Sequence, residues 1–424
     1  MKRSLPLFAT AILALAWTTL AQAETTIRIT GSTAYRGPTH TAISRLFDGG
    51  TFTLGYVGTS FTGAAAANFR GKIGGEDVLI KTSWSGSEAG MQTVSFGAEP
   101  LTVRFLPTPT VGDTNAELPG GVGGTGGKNG LSNPQSGSNA NSPEVPDIAM
   151  SDTFQASSAY QGLYKGKTYP GLQESINSPV GVVPFKFVAS KSVPTSVTNI
   201  TTQLAQNLYT SGYVRLSLFT GVDTDASYVF ATGRDPDSGT RLTTLAEIGL
   251  GAASEVKQYQ PTNANDTPVA TANGAVAKNI VWPASTINTI PVAPFNGGYS
   301  SGGNLALAMG NDTTSMTTYQ ANGTTVFATG GFFISYMSTG DATTAINNGA
   351  KELQYNGVPF SNDNLFNGKY TFWGYEHVYF RPAAVGTLVQ TVADALANTL
   401  KTTDATVKLN QMKVSRATDG AKVQ

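Results

Sequence analysis

Cysteine is absent from the 424 residues. That excludes disulfides, thiolate metal sites and a lipid-modified cysteine at an export cleavage point. Histidine occurs only at His40 and His377, far apart in the chain and without metal-ligand spacing. Charge is scarce as well, at 13% of residues, and 27 basic side chains balance 27 acidic ones. With no block of one sign, nucleic acid and anionic membrane surfaces are poor candidates for partners. Long apolar runs are confined to residues 5–20, behind Met1-Lys2-Arg3 and ahead of Ala21-Gln22-Ala23. This pattern predicts a secretory signal over residues 1–23 with an A-x-A cleavage site, a mature chain starting at Glu24, and a periplasmic or secreted location. The run is short for a bilayer span and no second one follows, although an uncleaved anchor is the alternative.

Polarity comes instead from Ser, Thr, Asn and 48 glycines. A mature length of about 400 residues exceeds one ordinary core and predicts two lobes. Strand-like runs end repeatedly in small hydroxyl or acidic residues. Thr26 to Thr30 alternates and leads into Gly31-Ser32-Thr33, after which Ala42, Ile43, Leu46 and Phe47 mark a helix face. Val78 to Ile80 leads into Ser83 to Ser87, with a helix predicted over residues 88–94. Asp147 to Met150 is a short buried strand that ends at Ser151-Asp152.

The most informative window runs from Ala231 to Arg241. An aromatic and β-branched strand (Ser227 to Phe230) precedes it, and Leu242, Leu245, Ile248 and Leu250 follow at helical spacing. Ser238-Gly239-Thr240 therefore falls at a helix N-terminus, where unpaired N–H groups and the positive end of the macrodipole face an anion. Arg234 adds a planar fork suited to two oxygens of a tetrahedral oxyanion. The plainer account is an N-cap at Asp237 or Ser238 followed by an ordinary first turn. Strand ends of this kind converge on a cleft at the carboxyl edge of an α/β sheet.

Further elements are predicted as a strand over 179–190, a helix near 200–208, strands over 331–337 and 369–380, and a closing helix with Val385, Leu388, Val389, Val392 and Leu396 on one face. Residues 112–143, dense in Gly, Asn, Ser and Pro, read as a surface insertion. The stretch 263–327 shows no usable periodicity.

Four of these motifs, in order, resemble the phosphate-binding periplasmic receptors of ABC transporters. Gly31-Ser32-Thr33 resembles the first-strand turn, Ser87-Glu88-Ala89-Gly90 the serine-glycine helix start, Ser151-Asp152 the Ser-Asp pair, and Arg234 with Ser238-Gly239-Thr240 the Arg and SGT motif. Val180 to Val188 resembles one inter-lobe crossing strand, and Asn356-Gly357 through Gly368-Lys369-Tyr370 the return crossing. Ala34 departs from the pattern, in which an aromatic often follows the Thr, and the spacing from Ser87 to Asp152 is stretched.

The resemblance implies an α/β, two-lobed class II binding-protein fold, with lobe 1 over residues 24–188 plus 371–424 and lobe 2 over 189–370. It implies a monomeric, non-enzymatic receptor that captures inorganic phosphate for an ABC permease and uses no cofactor. The implied ligand residues are Ser32, Thr33, Ser87, Asp152, Arg234, Ser238, Gly239 and Thr240. Alternatives are a receptor for another oxyanion, a secreted serine hydrolase, and a ligand-free structural protein of the same fold.

The hydrolase alternative rests on Gly298-Tyr299-Ser300-Ser301-Gly302, a formal GxSxG with His377 downstream. The preceding Pro294 to Gly297 does not read as the strand such an elbow requires. Gly121 to Gly126 fits GxGxxG but has neither strand nor helix around it, and Gly127-Lys128 lacks the rest of a P-loop. Asp223, Asp225, Asp235 and Asp237 hint at calcium, but Gly239 breaks the register of a calcium loop and no Glu follows at its closing position, so no metal is expected.

Overall fold

The protein, as a computed structural model, is described over residues 23–57, 60, 62–96, 101–106, 108 and 142–424. The expected signal up to residue 22 and the insertion up to residue 141, with its GxGxxG and Gly127-Lys128, lie outside the described residues. The described chain is mixed α/β, built around one 12-stranded sheet. Its main strands are β1 (Thr25–Gly31), β2 (Phe52–Val57), β3 (Ala66–Ile73), β4 (Glu76–Ser83), β5 (Ile148–Ser151), β6 (Gly181–Ala189), β7 (Tyr213–Arg215), β8 (Tyr228–Ala231), β9 (Phe332–Ser338) and β10 (Trp373–Phe380). They lie in the order β7-β8-β9-β6-β10-β5-β1-β4-β3-β2. Seven helices matter here: α1 (Arg36–Ser44), α2 (Ser87–Ser95), α3 (Thr202–Ser211), α4 (Gly239–Glu247), α5 (Gly302–Met309), α6 (Thr339–Asn347) and α7 (Leu388–Thr399).

Strand β6 joins the two halves of the sheet. Gly181 to Pro184 pair antiparallel with Glu376 to Trp373 of β10, while Phe185 to Ala189 pair with Ser338 to Ile334 of β9. Proline has no N–H to give a ladder, and Pro184 stands where β6 changes partners. One contiguous apolar core runs from Ile27 and Ile80 through Phe185 and Phe187 to Ile334 and Leu245.

Parallel pairing sets the site. β1 pairs parallel with β4 and β5, so Gly31, Ser83 and Ser151 end on one edge, and β8 pairs parallel with β9. Most predicted elements coincide with these within a few residues. Helix α1 ends at Ser44, short of Leu46 and Phe47, because Arg45 and Leu46 N–H bond back to Ala42 and Ile43 carbonyls and tighten the last turn. Helix α4 ends at Glu247, before Leu250, where Gly249 and Gly251 take positive φ. The unplaced stretch supplies most of a four-stranded sheet (Tyr259–Thr262, Lys278–Val281, Thr317–Tyr319, Val326–Thr329), whose first strand precedes it, and a hairpin (Ser285–Ile287 with Ile290–Val292). No helix among the described residues is long and apolar enough to cross a membrane.

Candidate functional site

Turns at the carboxyl ends of β1, β4, β5 and β8 meet at one locus. Gly31 has φ +120°, and a Cβ there would lie 2.0 Å from the Met150 carbonyl oxygen, so the turn accepts only glycine. Its carbonyl accepts from Gly86 N, and Ser32 N donates to Met150 O, tying the three strand ends together. Asp152 lies at the centre. Its Oδ1 accepts from Ser87 Oγ at 2.5 Å, and its Oδ2 accepts from Thr240 Oγ1 at 3.2 Å. One carboxylate thus takes hydroxyls from the first turns of α2 and α4. Gly239 permits the approach, since a Cβ there would lie 1.8 Å from Asp152 Oδ1 and 2.7 Å from Ser87 Oγ.

The remaining predicted residues lie close by. Ser238 caps α4, accepting from Arg241 N at 3.3 Å, as the plainer reading expected. Arg234 is buried, with Nε donating to Tyr299 O at 3.0 Å and Nη2 to Ser300 O at 2.9 Å. Its charge lowers the Asp152 pKa against the larger upward effect of burial. Ser32 is buried, with its Oγ facing the Glu376 carboxyl rather than Asp152. Thr33 follows, half-buried, in the turn before α1. Ser87, Asp152, Ser238, Gly239 and Thr240 are therefore brought together directly, Arg234 stands beside them electrostatically, and Ser32 and Thr33 lie on the β1 side.

Sequence reasoning missed a group of buried acids. Glu88, fully enclosed, accepts from Thr153 Oγ1 at 3.0 Å and Ser158 Oγ at 2.6 Å, yet burial pushes its pKa up to about 8. Burial also raises Asp152, Asp235, Asp237 and Glu376, and it raises Asp419 to about 6. Neither Glu376 oxygen has a hydrogen-bond partner among the described residues, and Ser32 Oγ and Tyr35 OH are in the same position. Arg241 is a second buried guanidinium, and it donates to Arg234 O at 3.2 Å and Asn296 O at 2.8 Å. For Glu376 and Arg241 a signal was present: a charge inside an otherwise aromatic strand, and a second arginine in the first turn of an amphipathic helix.

The rejected readings have local accounts. His377 Nδ1 contacts Glu174 at 2.7 Å and its ring packs on Phe154, while Ser301 caps α5 beside Ser300. Tyr299 is held by a single parallel bridge to Arg234 rather than in a strand leading to a nucleophile. Trp84, just ahead of the turn into α2, donates its Nε1–H to His40 and packs on the apolar core. Among the described residues no group of three His, Asp or Glu is placed to hold a metal.

Chemically, the locus gathers neutral hydroxyls and the start of α4 around one carboxylate, with a fixed guanidinium alongside. No family model and no curated protein matches the chain. Among the solved structures that it is similar to are the following three. A Clostridium perfringens protein, assigned with phosphate bound to the substrate-binding proteins of phosphate ABC transporters, is 13% identical; the match covers 91% of this chain and 100% of that one, with a TM-score of 0.44. An ABC-type phosphate transport receptor from Vibrio cholerae is 13% identical over 89% and 95% of the two chains, with a TM-score of 0.39. PstS from Borrelia burgdorferi is 12% identical over 88% and 92%, with a TM-score of 0.34.

Proposed function

We propose that this chain is a two-lobed extracytoplasmic solute-binding protein, without enzymatic activity, that captures inorganic phosphate between the two halves of the sheet for uptake by an ABC permease. The halves correspond to residues 24–188 plus 371–424 and residues 189–370. The observation that carries the reading is the doubly bonded Asp152 carboxylate, held by Ser87 from one half and Thr240 from the other. Hydroxyls placed to hold a carboxylate from both sides suit the oxygens of a tetrahedral oxyanion, and Arg234 supplies the charge. Multivalent oxyanions are costly to desolvate, so donors from helix N–H groups and hydroxyls must replace water around them. Asp152 then accepts a proton-bearing oxygen of phosphate and repels sulfate, which carries no proton at neutral pH.

One observation favours a second reading, a structural protein of the same fold without a ligand. The two halves are already bonded to each other at the locus, through Asp152 and through the Asp237 carbonyl. Calorimetric titration of stripped, mature protein with phosphate, sulfate and molybdate separates the two. Phosphate binding with little sulfate binding supports the receptor, and Asp152→Asn then shrinks that discrimination by about 1–3 kcal/mol. Silence with all three anions leaves the structural reading standing.

A further inference from the structure

Strands β6 and β10 connect the two halves of the sheet, and a cleft that opens between the halves must bend the chain where these strands cross. The segment 412–424 lies over this junction and touches both halves. It folds back on itself, with Ser415 N donating to Gln424 O at 3.0 Å and Gln424 N donating to Ser415 O at 2.9 Å. Val414 and Val423 belong to a second apolar cluster with Phe154 of one half, Leu365 of the other, and Val182 and Trp373 of the crossing strands. Lys413 N also donates to Phe366 O at 2.8 Å.

Polar contacts from the same segment reach the two elements that carry the anion locus. Arg416, 4% exposed, donates from Nη1 to Glu247 Oε2 at 3.2 Å, and Glu247 closes α4, whose first turn holds Thr240. The guanidinium also donates to the Trp373 and Thr371 carbonyls, at 2.8 and 2.5 Å, and its carbon lies 4.2 Å from the centre of the Trp373 ring. Gly420 presses on α4 too: it has φ +68°, and a Cβ there would lie 2.5 Å from the Ala246 carbonyl oxygen. Toward the other half, Asp419 Oδ2 accepts from Phe154 N at 2.9 Å, two residues past Asp152, and Thr418 Oγ1 lies 2.9 Å from Ser157 Oγ. Any movement that parts α4 from the loop after Asp152 breaks one of these two sets of bonds. Breaking the first leaves a buried charge without its partner, which is costly.

We propose that residues 415–420 are a clasp between the halves, which holds the end of α4 and the loop after Asp152 in register, so that the halves stay closed without an anion and a bound anion leaves only when the clasp parts; the second clause rests on the oxyanion-receptor reading above. Among the described residues neither the Arg416 nor the Asp419 side chain is bonded to a residue of the locus, so both are positioning residues.

Two measurements on the mature protein test the clasp. Small-angle X-ray scattering of stripped protein is expected to give one radius of gyration with and without phosphate. Arg416→Met combined with Glu247→Gln, which removes the link and leaves no buried charge behind, expands the stripped protein. Chase of labelled phosphate with unlabelled phosphate then shows release on the order of tenfold faster, the equivalent of one lost buried hydrogen bond. Asp419→Ala cuts the link to the other half, carries the same two expectations and serves where the double variant fails to fold. Val392→Ala thins the main core away from the clasp and leaves the release rate unchanged, which separates positioning from general loss of stability. Folded clasp variants that stay compact and release phosphate at the original rate overturn the proposal, and so does equal acceleration by Val392→Ala. If no anion binds, the receptor reading falls, and expansion of the clasp variants in scattering still decides whether the segment holds the halves together.

Discussion

Helices α2 and α4 begin on opposite sides of the same locus and satisfy their first N–H groups in opposite ways. α4 is self-sufficient: Ser238 is its N-cap, accepting from Arg241 N within the same turn. α2 has no side-chain cap. Its N-cap is Gly86 at φ +104°, and the Glu88 and Ala89 N–H groups donate at 3.1 and 3.3 Å to the Asp237 carbonyl, which belongs to the loop entering α4. One helix start is completed by its own sequence, the other across the divide. The first is therefore a property of local chain chemistry, and the second a property of how the two halves sit together.

The comparison breaks most visibly at Glu88, in the first turn of α2. Its folded pKa of about 8 lies above its unfolded value of 4.5, so the native state holds more protons between those pH values. Stability is then greatest at the low end of that window and falls as pH rises from about 4.5 to 8, by up to about 5 kcal/mol. Thermal unfolding followed across this range reads the slope, and Glu88→Gln should flatten it. A melting temperature that climbs steadily with pH over this range would contradict the assignment. Asp235 and Asp237, in the loop entering α4, are raised by burial as well and add to the same slope.

Arg234→Ala is expected next, weakening phosphate binding by about 2–5 kcal/mol in calorimetry, since a buried anion is left without its charge partner. Unchanged affinity would remove this arginine from the site. Gly86→Ala attacks only the cross-divide start: a Cβ there meets the Asp237 carbonyl oxygen at 2.4 Å, and φ +104° is strained for alanine. A loss of about 1–3 kcal/mol is expected in chemical denaturation. The smallest effect belongs to Ser238→Ala, which removes a local cap and costs about 1 kcal/mol of stability. If Ser238→Ala proves as damaging as Gly86→Ala, the two starts are not different in kind.

The asymmetry also separates what was legible in the sequence from what was not. Ser238 could be read as a cap because capping chemistry spans three residues and leaves a local pattern. Likewise, the carboxyl ends of β1, β4, β5 and β8 were visible as hydrophobic runs that stop at small hydroxyl residues. The capping of α2 by Asp237 leaves no such trace, because Glu88 and Asp237 stand 149 positions apart in the chain. Glu376 shows the limit in part, since its charge stands out in the strand but its neighbours do not. Its strand reads as continuously buried, and only the fold reveals that Ser32 and Tyr35 gather beside a carboxyl with no closed hydrogen bond. The stretch 263–327 resisted assignment because its strands are three or four residues long, too short for alternation to emerge from Thr, Asn and Gly.

Strands β6 and β10 place Val183 opposite Gly374 and Pro184 opposite Trp373, on the line where β6 exchanges one neighbour for another. Considered as a plate under load, the sheet has a seam there: Pro184 gives no cross-link, and Gly374, next to Trp373 on the facing strand, has no side chain to brace it. Gly374 is also the residue over which Asp152 rests, since a Cβ at 374 would lie 2.9 Å from the Asp152 carbonyl oxygen. Compliance and site therefore share an address, and a side chain added at 374 would stiffen the seam and lift the central carboxylate off it together.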